Sequence, residues 1–143
     1  MLSVNSQALV LGGTLTAVAA VAHLACIAIG PSAYRFLGAG ERMACAVEAG
    51  KTRPVLVTLA ISAVLLVGSA YAFSGAEMTP RLPLTNAALP MISLTYLARA
   101  LAFPLLRPVF PENSTVFWLV SSGICLLLGS LYAVGAIAVW TGH

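Results

Sequence analysis

Six polar side chains have the types and positions needed to bind or transform a small molecule. They comprise a guanidinium, an imidazole, a phenol, a hydroxyl and two carboxylates, at Arg99, His23, Tyr96, Ser93, Glu41 and Glu48. Arg99 is the most informative, because a guanidinium at the centre of an apolar span costs about 2.5–3.5 kcal/mol on membrane-insertion scales. We therefore expect it to reach the membrane surface, to pair with another group, or to line a polar cavity that holds an anionic or carbonyl group.

Three of these side chains follow helical spacing. Ser93, Tyr96 and Arg99 recur every three residues and so lie along one stripe of a helix. His23 and Arg99 each lie about seven or eight residues inside the same end of their apolar segments, which is ~10–12 Å deep at ~1.5 Å per residue. His23, Tyr96 and Arg99 are therefore predicted to form one polar layer.

The two glutamates belong to the first connection between apolar segments. Residues 41–49 predict a short helix with Glu41 and Glu48 on one face and an apolar side on another, so this helix is expected to lie on the membrane interface. One carboxylate could then fold over Arg99 or Arg107 and neutralise it. The resulting hypothesis is a cytoplasm-facing pocket with this helix as its roof and the polar layer as its floor.

Structural roles are the alternative for the same residues. Arg99 could extend its aliphatic stem to the headgroups without binding any ligand. His23, a single imidazole on an apolar helix, could hydrogen-bond a neighbouring carbonyl. Glu41 and Glu48 could simply face water.

Composition decides which solvent surrounds these side chains. Of the 143 residues, 60% are hydrophobic and only 8% are charged, whereas an average soluble domain has about 25% charged residues. So few charges cannot cover a water-soluble domain, which excludes a soluble globular enzyme, a disordered chain and a secreted disulfide scaffold. The net charge of +3 comes from basic residues near the ends of apolar segments, so no nucleic-acid partner is expected.

Four apolar segments are long enough to cross a bilayer. Backbone polar groups must be satisfied within the hydrocarbon, so these segments are expected to be helices. The predicted fold is an all-α, integral membrane bundle of four transmembrane helices, with a short interfacial amphipathic helix between the first two. It forms a single membrane domain over residues 1–143, with spans at 7–29, 54–73, 84–106 and 116–140 and a cytoplasmic connection at 30–53.

The distribution of basic residues predicts the orientation. The first and third connections share a side and carry five basic residues, whereas the second connection carries only Arg81. The positive-inside rule puts the basic side in the cytoplasm and both termini outside it. The pattern resembles that of small four-span bacterial inner-membrane proteins, and this resemblance, which concerns architecture alone, implies a location in that membrane.

Small residues recur at helical spacing in the first and last spans. Gly12, Thr16 and Ala20 lie four residues apart, and the last span also carries small residues at Gly129, Ala133 and Gly135. Small side chains allow helix backbones to approach closely. We expect these faces to pack against each other within the chain. A homo-oligomer that packs through the same faces is the alternative.

No catalytic motif is recognisable, and no cofactor is expected. Haem would need a second axial ligand, and the only other histidine is His143. The expected function is binding of a lipid-like or small anionic ligand, which the protein could help to move, with membrane lipids and an amphiphilic small molecule as partners. Two alternatives stay open. The first is an enzyme that acts on a lipid-type substrate, with His23, Glu41 or Glu48 as the base and Arg99 holding the substrate. The second is a structural subunit of a membrane complex.

Overall fold

The computed structural model describes residues 2–142, which contain helices and no strand. The seven helices of the described residues are α1 (Val4–Ile29), α2 (Pro31–Phe36), α3 (Glu41–Glu48), α4 (Arg53–Gly75), α5 (Thr85–Leu101), α6 (Phe103–Leu106) and α7 (Thr115–Thr141). Successive long helices run antiparallel, so the basic connections meet at one end of the bundle, where α1 and α5 end and α4 and α7 begin.

Three of these helices are long and apolar enough to cross a membrane. They are α1 with 26 residues, α4 with 23 and α7 with 27. At ~1.5 Å per residue each exceeds a hydrocarbon core of ~30 Å. Serines cap two of them, because the hydroxyls of Ser3 and Ser114 accept from backbone N–H groups in the first turns of α1 and α7. Membrane integration is thus supported by three helices.

The third predicted span, over residues 84–106, is not confirmed. The chain there divides at Ala102 into α5, with 17 residues, and α6, with four. Pro104 accounts for the division, because its nitrogen has no hydrogen to donate to the carbonyl of Ala100 and its ring crowds that carbonyl. At ~1.5 Å per residue α5 rises ~26 Å, less than the ~30 Å of the hydrocarbon core.

Small residues allow the long helices to pack closely. α1 packs mainly on α4 and also on α7, and α7 packs mainly on α5. A Cβ added at Gly13 would lie 2.9 Å from the Cβ of Ala72, and one added at Gly129 would lie 2.7 Å from Cγ of Leu97. These small-residue faces therefore contact other helices of the same chain, and the homo-oligomer stays a prediction.

The first connection folds into two helices. α3 matches the short helix predicted over residues 41–49, whereas α2 was not predicted. Ala44, with no exposed surface, packs with Tyr34 of α2 and Cys26 of α1. The apolar side of α3 thus packs in part against α1 and α2, and its position on the membrane interface stays a prediction.

Candidate functional site

Arg99 contacts the polar side of α7. Its Nη2 donates to Oγ of Ser121 at 3.0 Å, and its guanidinium carbon lies 5.3 Å from the ring centroid of Trp118. At this distance the indole face attracts the cation. Arg99, Trp118, Ser121 and the adjacent Ser122 are called the Arg99 centre below.

Three buried polar atoms of the Arg99 centre have no hydrogen-bond partner among residues 2–142. They are Nη1 of Arg99, Nε1 of Trp118 and Oγ of Ser122. Trp118 is only 2% exposed and Ser122 only 9%. The two nitrogen atoms can only donate, and a buried donor without a partner costs about 1–3 kcal/mol. The Arg99 centre therefore has more donors than acceptors, and an oxygen acceptor would satisfy it.

Helical periodicity explains why these residues meet. Trp118 and Ser122 lie four residues apart and share a face of α7, which is turned toward the inside of the bundle. Trp118 was not among the residues predicted from the sequence to surround Arg99. The available signal was its position one helical turn before Ser122, near the same end of the bundle as Arg99.

Tyr96 belongs to a separate hydroxyl network at the middle of the bundle. Its hydroxyl lies 3.0 Å from Oγ1 of Thr16, and the hydroxyl of Tyr132 lies 3.2 Å from the same oxygen and 3.1 Å from the carbonyl of Gly68. The network therefore joins α1, α4, α5 and α7. Ser93, one turn away, donates to the carbonyl of Gly129 at 2.7 Å.

His23 makes a local contact. Its Nδ1 lies 2.7 Å from the carbonyl oxygen of Ala19, one turn earlier in α1, so this nitrogen carries the hydrogen that the carbonyl accepts. This is the bonding that the structural alternative expected for His23. The predicted polar layer of His23, Tyr96 and Arg99 is thus divided among three sets of partners.

Glu41 and Glu48 contact Arg35 and not the predicted partners Arg99 or Arg107. Nη2 of Arg35 lies 2.7 Å from Glu41 and 2.8 Å from Glu48. The hydrogen bond from Arg35 lowers the pKa of Glu41, and the bonds to the two carboxylates raise the pKa of Arg35. The two glutamates lie on one exposed face of α3, as predicted, and that face binds a cation from α2.

Two cavities lie outside the Arg99 centre. A groove of about 200 Å³ between α4 and α5 is lined by apolar side chains together with Thr16 and Tyr96. A cleft of about 840 Å³ lies at the basic end of the bundle, between α3 and the connection from α6 to α7. Small-molecule sites usually enclose about 300–1,000 Å³, and of these two cavities the cleft falls within that range.

Metal and haem binding receive no support from the residues described. Among residues 2–142, no three His, Cys, Asp or Glu side chains come together to hold a metal ion. His143, the second histidine considered for haem, lies outside the described residues.

Comparisons with protein-family models, with curated proteins and with solved structures find no match for the chain. The case for a function therefore rests on the chain's own residues, and above all on the Arg99 centre.

Proposed function

We propose that this protein binds a lipid-like amphiphile through an acidic or carbonyl head at the Arg99 centre. The observation that carries the proposal is the group of buried donors at Arg99 and Trp118 that no protein acceptor satisfies. A carboxylate, phosphate or carbonyl oxygen would accept from both. The guanidinium adds a charge-assisted hydrogen bond, which is about twice as strong as a neutral one.

The surroundings favour an amphiphile over a small polar ion. Leu101 and Leu119 are exposed next to the Arg99 centre, on the lipid-facing sides of α5 and α7. Acyl chains solvate such surfaces in a membrane. A ligand with a polar head and an apolar tail could satisfy the donors and remain in lipid, whereas a free ion would have to be dehydrated to reach them.

We further propose that α5 and α6 together form the fourth crossing, that the protein lies in a bacterial inner membrane, and that both termini lie outside the cytoplasm. Support comes from the five basic residues at one end of the bundle against Arg81 at the other. C-terminal fusions to alkaline phosphatase and to green fluorescent protein test the orientation. Active phosphatase with dark fluorescent protein is expected, and the opposite result contradicts it.

Trp118 provides a direct reporter of binding. In a Trp140→Phe background it is the only tryptophan, so a brominated ligand that binds beside it should quench its fluorescence. We would titrate the detergent-solubilised full chain with 9,10-dibromostearate and expect saturable quenching. Loss of the charge-assisted hydrogen bonds of Arg99, about 1.5–3 kcal/mol, should weaken binding roughly 10- to 150-fold in Arg99→Gln.

Two controls separate binding from partition into the micelle. Arg107→Gln removes an exposed arginine that bonds only Thr115, and it should leave quenching unchanged. The dibrominated alcohol of the same chain length enters the micelle but lacks the acid, and should quench without saturation. Equal quenching curves for the native chain and Arg99→Gln, or for acid and alcohol, would refute the proposal.

A further inference from the structure

Hydrogen bonds join the two walls of the cleft at the basic end of the bundle. Oε1 of Glu112 accepts from the backbone N–H of Glu41 at 2.6 Å, and the side-chain amide of Asn113 donates to the carbonyl of Gly38 at 3.2 Å. These bonds join the first and third connections, which enclose the cleft between them. Gly40 has a φ of 95°, and a Cβ there would lie 3.0 Å from both Glu112 and the ring of Phe110, so glycine permits this close approach.

Three basic side chains line the cleft without any partner in the described part of the chain. Arg42, Lys51 and Arg53 are exposed, and none makes a side-chain hydrogen bond or ion pair within residues 2–142. The carboxylates of the cleft are already engaged, because Glu41 pairs with Arg35 and Glu112 caps the first turn of α3. The charge left for a ligand is therefore positive.

The lining also includes apolar side chains. Met43, Val109 and Phe110 lie in the cleft beside the basic groups, and α4 begins at its edge with Arg53. The cleft thus lies at the end of the bundle where α4 begins. If α4 crosses the bilayer, this end of the bundle lies at the level of the lipid headgroups. Basic pockets between helices at this level can bind phosphate headgroups.

We propose that this cleft binds the phosphate headgroup of an anionic phospholipid, with Arg42, Lys51 and Arg53 facing the phosphate and the apolar lining facing the start of the acyl chains. This site is distinct from the Arg99 centre, because no residue of that centre lines the cleft. It depends on membrane integration of the bundle but not on the ligand proposed for Arg99.

Native mass spectrometry of the detergent-solubilised full chain tests this proposal. The protein would be titrated with phosphatidylglycerol and with phosphatidylcholine that carry identical acyl chains. We expect at least tenfold tighter binding of phosphatidylglycerol, and we expect this preference to fall when sodium chloride rises from 50 to 500 mM, because salt screens the exposed cations.

Variants locate the site. Arg42→Gln/Lys51→Gln/Arg53→Gln should lose the preference, at roughly fivefold per charge removed. Arg81→Gln, at the opposite end of the bundle, should retain it. The triple variant should keep the saturable quenching by 9,10-dibromostearate, so that this proposal and the proposed function can fail separately. Circular dichroism would check that the triple variant is folded, and the salt titration of the native chain provides a test that needs no variant.

Three results would overturn the proposal. Equal affinity for the two lipids would show that the cations do not select the headgroup. An unchanged preference in the folded triple variant would place the site elsewhere. Displacement of phosphatidylglycerol by millimolar inorganic phosphate or glycerol 3-phosphate would identify a soluble phosphate compound, and not a lipid, as the occupant.

Discussion

Replacing Gly135 by alanine should destabilise the bundle, because the added methyl group would overlap a buried side chain of α1. An added Cβ would overlap Cγ and Cδ2 of Leu9 and lie 2.7 Å from its Cδ1. Leu9 is 1% exposed and packs in the main core with Tyr132 and Ala136, so it has little space in which to move. Overpacking of this kind costs about 1–3 kcal/mol, and the degree of overlap favours the upper half of that range.

Gly123→Ala provides the matched control in the same helix. Nothing lies within 4 Å of a Cβ added at Gly123, so this variant has only the helix-propensity gain of alanine over glycine, up to about 1 kcal/mol. That gain also applies at Gly135, so the difference between the two variants isolates the clash. We expect Gly135→Ala to be about 2–3 kcal/mol less stable than Gly123→Ala.

The assay is unfolding of the full chain in mixed micelles with increasing sodium dodecyl sulfate, followed by circular dichroism. Leu9→Ala removes the side chain that the new methyl group would meet, at a cost of about 2–5 kcal/mol of its own. In that background the penalty of Gly135→Ala should disappear. Equal stability of the two alanine variants, or strictly additive effects of Leu9→Ala and Gly135→Ala, would refute this packing of α1 on α7.

Three further predictions concern polar contacts. Tyr132→Phe should lower the free energy of unfolding by about 0.5–2 kcal/mol in the same micelle assay, because it removes the hydroxyl at the centre of the four-helix network; no change would contradict the network. Arg35 lowers the pKa of Glu41, so the contact between them contributes fully above the ordinary carboxyl pKa and is lost as the pH falls through the lowered value. Hydrogen-exchange protection of α3 should therefore decrease in acid for the native chain, and a Glu41→Gln variant should show a smaller decrease, since the contact of Glu48 with Arg35 remains. Desolvation, and then the hydrogen bond to Glu41, raise the pKa of the Cys45 thiol, so Glu41→Gln should speed its reaction with maleimide near pH 8 when the other two cysteines are alanine; an unchanged rate would contradict the contact.

The long helices could be predicted because the apolar pattern that specifies each helix lies within its own segment of the chain. The first, second and fourth spans contain no Asp, Glu, Lys or Arg, and a backbone in hydrocarbon has to form its hydrogen bonds within a helix. Their observed bounds differ from the predicted ones by at most three residues. The third span was predicted as one continuous helix, and this prediction is wrong. The segment contains Pro104, which removes a hydrogen bond from the last turn of α5.

The candidate site could be predicted only in part. Arg99 was identifiable because a single guanidinium in an apolar run is costly wherever its partners lie. Its contacts with Trp118 and Ser121 depend on the rotation of α7 about its own axis, which the weakly amphipathic sequence of α7 does not specify. The pairing of the two glutamates with Arg35 depends likewise on α2, a helix that no strong sequence pattern indicated.

The sequence by itself determined the helical class, the apolar surroundings of the long helices and the single cation within an apolar segment, because each follows from residue composition and from hydrogen bonding along one segment. Only the tertiary structure decided which side chains surround that cation, which carboxylates pair with Arg35, and which cations remain free in the cleft. These contacts depend on the rotation and register of the helices that pack at Gly13, Gly129 and Gly135. Rotation of one helix by a fraction of a turn would bring a side chain against a different neighbour.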